Sequence, residues 1–244
     1  MVTSFGVFKY MAMYSFIQFF GVLIMTASHA TYADWQYFYA DLLIVFLLAI
    51  AITKNETSVR LAKQKPPARL GDGRTILSVF LHLFIVLSFQ VVPYVVVKTM
   101  PWYIKPKVLK KHKLFNIPSF ENYSVVCVSF FQYIWVAIIC STGEPYRKPL
   151  FKNPWFIVSF IFTISLTILV TFSPFHFIKS VLEFPPNLPV ELPVALVIYS
   201  IFNLFVFLAV DKLITCCFSK SGTVRPIKIE ENENNDNHWP PFKH

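Results

Sequence analysis

The sequence predicts an all-α membrane protein, a six-helix transmembrane bundle. Three observations predict it. Hydrophobic residues make up 55% of the 244 positions, and the mean hydropathy is +0.55. The apolar residues gather in six blocks of about 19–23 positions, each long enough to cross a hydrocarbon core of about 30 Å as a helix. Of the 17 prolines, only Pro93 falls well inside a block; the others lie in connections, at block ends or in the tail. Inside lipid the backbone must satisfy its own hydrogen bonds, so helices are the expected form of each block.

The first block, 7–28, carries Tyr14 and Gln18, four residues apart and so on one helical face. Only one basic residue, Lys9, sits near its start and no small-residue cleavage site follows, so it does not read as a secretory signal. The second block, 35–53, opens behind Asp34, the expected N-cap. Trp35, Tyr37 and Tyr39 form an interfacial aromatic belt. Asp41 then poses a choice. A helix capped by Asp41 would run from Leu42 to Thr53, about 18 Å, too short to cross. The helix must therefore start near Trp35, which puts Asp41 about two turns inside. A carboxylate at that depth is costly and by default marks a functional site. Pairing with another helix, or snorkelling to the interface, is the plainer alternative.

The third block, 76–97, carries His82 and Gln90, and Pro93 predicts a kink late in it. The fourth, 122–141, carries Gln132. For His82, Gln90 and Gln132 the expectation is helix–helix hydrogen bonding rather than ligand contact. One intramembrane histidine cannot ligate a haem pair, which argues against a six-helix cytochrome. The fifth and sixth blocks are 154–173 and 193–215. Cys216 and Cys217 follow directly and are palmitoylation candidates, or simply two small residues at a helix end. The four cysteines show no CxxC or Cys/His ligand spacing, so neither zinc nor redox chemistry is indicated. Residues 1–217 thus read as the transmembrane domain and 218–244 as a polar cytosolic tail. The run EENENNDNH at 230–238 has the composition of a disordered segment.

The formal net charge is +9. In a soluble protein that would suggest nucleic acid; with the charges set between apolar blocks, lipid head-groups are the expected anionic partner. Six spans place both termini on one side. That side holds 15 of the 22 Lys and Arg residues, which makes it the cytosol by the positive-inside rule. The lysine-rich 98–121 connection runs against this trend. The sequon Asn55-Glu56-Thr57 is then cytosolic, and Asn122-Tyr123-Ser124 is lumenal but close to the membrane.

The first two blocks are joined by about six residues and so are antiparallel neighbours. Gln18 and Asp41 both fall roughly 10–15 Å below the lumenal surface, by rise per residue. Tyr37 and Asp41 are also four apart. One helix pair can therefore present a carboxylate, an amide and two phenol rings to one cavity. That set suits an organic cation, with charge from Asp41, cation–π attraction from the rings and a hydrogen bond from Gln18. Ca²⁺ and Mg²⁺ want several oxygen ligands and are poorly served by it.

Several blocks also resemble a known family. SFGVFKYMAMYSFIQF (4–19) resembles the fifth transmembrane helix of the type-V, branch-B P-type ATPases, the endolysosomal polyamine-transporting or cation-transporting ATPases. DWQYFYADL (34–42), KPPARL (65–70), MPWYIKP (100–106), ENYSVVCVSFFQYIWVA (121–137), STGEPYRKPLFKN (141–153) and WPPF (239–242) follow in the family's order. The resemblance covers essentially the whole chain. It implies that the six spans are helices five to ten, the C-terminal membrane half of such a pump, and that polyamine passes from lumen to cytosol. It implies that Tyr14, Gln18 and Asp41 contact substrate, and that Tyr37 replaces a family aromatic that is usually phenylalanine. It implies ATP and Mg²⁺ as cofactors of the full-length family. This chain has no Asp-Lys-Thr-Gly phosphorylation motif, nucleotide-binding domain or Pro-Pro-Ala-Leu-Pro helix, so ATP hydrolysis from it alone is not expected. Thr142-Gly143-Glu144 matches the actuator tripeptide only by coincidence. Two alternatives stay open: a stand-alone, non-enzymatic membrane protein that associates with or regulates a full-length pump, and a fragment of an inorganic-cation pump.

Overall fold

The computed structural model describes residues 2–28, 30–56, 73–105, 118–141, 148–173 and 175–219. The tail from 220 onward and the tripeptide 142–144 lie outside the described residues. Six helical spans long and apolar enough to cross a membrane are present, at Gly6–Thr26, Asp34–Thr53, Ile76–Lys98, Phe120–Cys140, Pro154–Phe172 and Glu191–Cys216. The bundle is all-helical among the described residues.

The first span lies in α1 (Val2–Thr26). The second is composite: α2 (Asp34–Phe38), a π-helical stretch (Tyr39–Phe46) and α3 (Leu47–Thr53) run as one rod. The expected cap is corrected here. The N-cap is Ala33, not Asp34; the Gln36 side chain turns back and accepts from the Ala33 backbone N–H at 3.0 Å. Asp34 occupies the first turn, where its charge still complements the helix dipole. Gln36 also donates to the Leu182 carbonyl at 2.7 Å, tying this helix start to the segment before the last span.

The third span lies in α4 (Gly73–Lys98), which continues through Pro93. After it the chain folds back onto the start of the fourth span. Trp102 packs on Phe120 with ring centroids 5.2 Å apart, and the Tyr103 hydroxyl donates to Glu121. Burial and that bond to Glu121 hold the Tyr103 phenol well above its ordinary ionisation range. The fourth span is α5 (Phe120–Cys140), capped by Ser119, whose Oγ accepts from the Asn122 N–H at 3.2 Å. Asn122, of the expected lumenal sequon, is buried in this first turn.

The fifth span is α6 (Pro154–Phe172). Asn153 caps it by accepting from the Trp155 N–H at 3.1 Å, and Pro154 takes the first helical position, where its missing N–H costs nothing. The other end of the Asn153 amide donates to the Ala51 carbonyl at 3.0 Å, so one side chain starts α6 and pins it to α3. α6 stops at Ser173, which adopts a left-handed conformation (φ 41°) immediately before Pro174. A short α7 (His176–Val181) precedes α8 (Glu191–Ser219), which holds the sixth span.

α5 is the hub. It packs against α1, α3, α4, α6, α8 and the π-helical stretch, and almost all of its residues are buried. Its polar side chains therefore face other helices, not lipid. Gln90 on α4 donates to the Ile17 carbonyl (3.1 Å), Ser129 Oγ (3.0 Å) and Gln132 Oε1 (3.0 Å), and Gln132 donates to the Val86 carbonyl at 3.2 Å. The expected helix–helix role of Gln90 and Gln132 is what the geometry shows, and it joins α1, α4 and α5. His82 departs from that expectation. Its Nδ1 is 2.7 Å from the Ser78 carbonyl of its own helix, and its Nε2 has no hydrogen-bond partner.

Candidate functional site

The site is built on α1 and the second span. Tyr14 is half-buried on α1, and its hydroxyl donates to Asp41 Oδ1 at 2.5 Å. Gln18, one turn further along α1, lies beside the Tyr14 hydroxyl. Tyr37 stands within electrostatic range of both Asp41 and Tyr14. The four residues singled out from the sequence thus converge. Asp41 itself is exposed at the surface of the described bundle, alongside Phe38 and Leu42.

The backbone around Asp41 is unusual. Residues 39–46 are π-helical, with i→i+5 hydrogen bonding in place of i→i+4. Such stretches are rare and concentrate at functional sites. Asp41 lies in the first turn of this stretch. Nothing in the run QYFYADLLIVFLL forecasts this, because its propensities suit an α-helix equally well.

Two further tyrosines were missed in the sequence. Tyr133, fully buried on α5, packs its ring 5.5 Å from that of Tyr14. Its hydroxyl is within electrostatic reach of Tyr14, Tyr32, Tyr37 and Asp41. Tyr32, in the connection before α2, packs 5.6 Å from Tyr37 and lays its phenol against Gly21 of α1. A Cβ on Gly21 would stand 1.9 Å from the Tyr32 hydroxyl oxygen, so close packing demands glycine at that position. The one sequence signal was Gly21 itself, a glycine inside an apolar span. Tyr14, Tyr32, Tyr37 and Tyr133 thus put four phenol rings in one neighbourhood with Asp41, and Asp34 also lies within electrostatic range of Tyr37.

Chemically, the arrangement sets the Asp41 carboxylate among phenol rings. A carboxylate accepts hydrogen bonds but cannot donate them, and its two oxygens can accept more bonds than the one from Tyr14. Aromatic faces add cation–π attraction, which grows when water is excluded. Among the described residues, no group of three or more His, Cys, Asp or Glu side chains is placed to hold a metal ion.

Comparison with known proteins places this architecture. No family model matches the sequence. The vacuolar cation-transporting ATPase YPK9 of Saccharomyces cerevisiae is 36% identical over 170 residues, 70% of this chain. Human polyamine-transporting ATPase 13A3 is 29% identical over 275 aligned positions that take in 99% of this chain. The chain belongs to the P-type cation- and polyamine-transporting ATPase family. Human polyamine-transporting ATPase 13A2 is 34% identical over 157 residues, 64% of the chain. The chain spans only 22% of the length of ATPase 13A3 and 11% of YPK9. Within this ATPase family it is a multi-pass membrane protein.

Proposed function

We propose that this segment holds the organic-cation cargo of a polyamine pump, with Asp41 as the counter-charge and Tyr14, Gln18 and Tyr37 as its neighbours. The observation that carries the reading is the 2.5 Å contact between Tyr14 and Asp41 on a π-helical turn that presents the carboxylate at the bundle surface. The cargo is a spermine- or spermidine-like polycation, moved from the lumen of late endosomes or lysosomes to the cytosol, with both termini of this chain cytosolic. ATP and Mg²⁺ act outside this chain, on phosphorylation and nucleotide domains with which it works. The aromatic-rich setting of Asp41 supports this reading over an inorganic cargo, and the charge asymmetry of the connections supports the cytosolic termini.

The test is spermine binding to the chain in lipid nanodiscs, paired with spermine-stimulated ATPase activity of the pump containing it, in wild-type and Asp41→Asn forms. Bound cargo would cover the Asp41 carboxylate, and truncating one partner of a hydrogen-bonded charge pair covered in that way costs about 2–5 kcal/mol. Asp41→Asn should therefore weaken apparent affinity by at least about tenfold. Unchanged affinity and stimulation would remove Asp41 from the site.

A further inference from the structure

His82 lies outside the site described above and does no bonding between helices. It is 1% exposed on α4. Its Nδ1 faces the Ser78 carbonyl at 2.7 Å, with Ser78 Oγ 3.5 Å away. A carbonyl only accepts, so Nδ1 carries the proton and the neutral ring leaves Nε2 as a bare lone pair. No donor meets that lone pair. The Phe207 ring of α8 stacks on the imidazole with centroids 5.6 Å apart. The Phe207 carbonyl also lies close to the imidazole, short of hydrogen-bond geometry. Both backbone groups near the ring are therefore acceptors. A neutral imidazole can donate to one of them; an imidazolium can donate to both.

Burial opposes a charge on this ring, and the two nearest charges on other helices act on it in opposite senses. Lys9 of α1 and Asp211 of α8 are both within electrostatic range of His82, and both also act on Cys140 of α5. Tyr10, next to Lys9, is fully buried with an unpartnered hydroxyl. Asn203, one turn before Phe207 on the same stripe of α8, is fully buried with both amide atoms unpartnered. Internal water is one common partner of buried polar atoms that have none in the protein. We propose that His82 is a proton-acceptor site inside the bundle, taking its proton at Nε2 through water from the end of the bundle that bears Lys9 and Asp211. Its ligand is a proton, and the site stands independently of the cargo assigned to Asp41.

The test is ring-¹⁵N histidine NMR of the full chain in lipid nanodiscs, with the His82 signal identified by its loss in His82→Asn. Asn keeps a donor for the Ser78 carbonyl and removes the titrating atom. The expected result is a neutral ring protonated at Nδ1 that gains a second proton at Nε2 as the pH is lowered with the bundle still folded. Lys9→Gln should move that midpoint up and Asp211→Asn should move it down, because a neighbouring cation opposes imidazolium and an anion favours it. A ring protonated at Nε2 when neutral would overturn the proposal. So would a ring that stays neutral down to the pH at which the bundle unfolds, or a midpoint that neither charge variant moves. These readouts follow one side chain and are indifferent to spermine, so their failure leaves the Asp41 reading intact, and the reverse holds too.

Discussion

Gly21→Ala places a methyl group 1.9 Å from the Tyr32 hydroxyl oxygen, 2.8 Å from Cζ and 3.2 Å from Cε2. Ordinary van der Waals contact begins near 3.4 Å, so the hydroxyl must retreat by about 1.5 Å. Tyr32 has little room to give: it is 6% exposed and packs against Tyr37. Overpacking of this kind costs about 1–3 kcal/mol. Against that, alanine in a helix interior is favoured over glycine by about 1 kcal/mol. The net expectation is a loss of up to about 2 kcal/mol. In a Tyr32→Leu background the aromatic tip is gone, the clash term vanishes and only the propensity remains. There Gly21→Ala should stabilise by about 1 kcal/mol. The assay is equilibrium unfolding in detergent of the four proteins of the cycle. The expected coupling between the two sites is about 1–3 kcal/mol. A coupling within about 0.5 kcal/mol of zero would refute the close approach. Because Tyr32 packs on Tyr37, the same variant should also weaken spermine binding in the wild-type background.

Gln90→Leu should cost about 1–2 kcal/mol in the same unfolding assay, since interhelical hydrogen bonds in membranes average about 0.6 kcal/mol and reach about 1.7, and Gln90 reaches groups on both α1 and α5; an indistinguishable unfolding curve would count against the polar clamp. Glu56, bonded to Lys148, has its carboxyl held below the ordinary range by that ammonium. A depressed folded-state value means the contact is fully present above the unfolded carboxyl's ordinary range and is lost as pH falls through the folded value. The Lys148 amide, which donates to the Glu56 carbonyl at 3.2 Å, should accordingly lose exchange protection on acidification, and Glu56→Gln should abolish that dependence. Cys216 is exposed near the end of α8. Acyl-exchange capture from cells should retain the chain through Cys216 or Cys217, and capture that survives the double Cys→Ser variant would exclude them as the modified residues.

Much of this protein was legible before any fold was known. Block length and hydropathy placed six spans within a few residues of where the helices lie, because a bilayer core of fixed thickness demands a fixed run of apolar residues. The same length arithmetic moved Asp41 inside a helix, and four-residue spacing put Tyr14 with Gln18. What spacing could not supply was the partner across the gap. Apolar character all round a helix says only that it is surrounded by something apolar, and lipid and protein look alike from sequence. The role of α5 as hub, the contact of Tyr133 with Tyr14, and the approach of Tyr32 to Gly21 were decided by packing between helices distant in the chain. So was the difference between Gln90, bonded across three helices, and His82, bonded to its own. Asn203 was passed over for the same reason: one amide in a long apolar run is a polar residue of unknown facing until α8 is set against α4. The π-helical turn is a further tertiary decision. Nothing in its residues demands the wider turn, and the stretch packs against α5. The sequence by itself determined the spans and the chemistry carried in each, because lipid reads length and polarity locally. The tertiary structure decided which side chains meet, because facing and close approach exist only between helices.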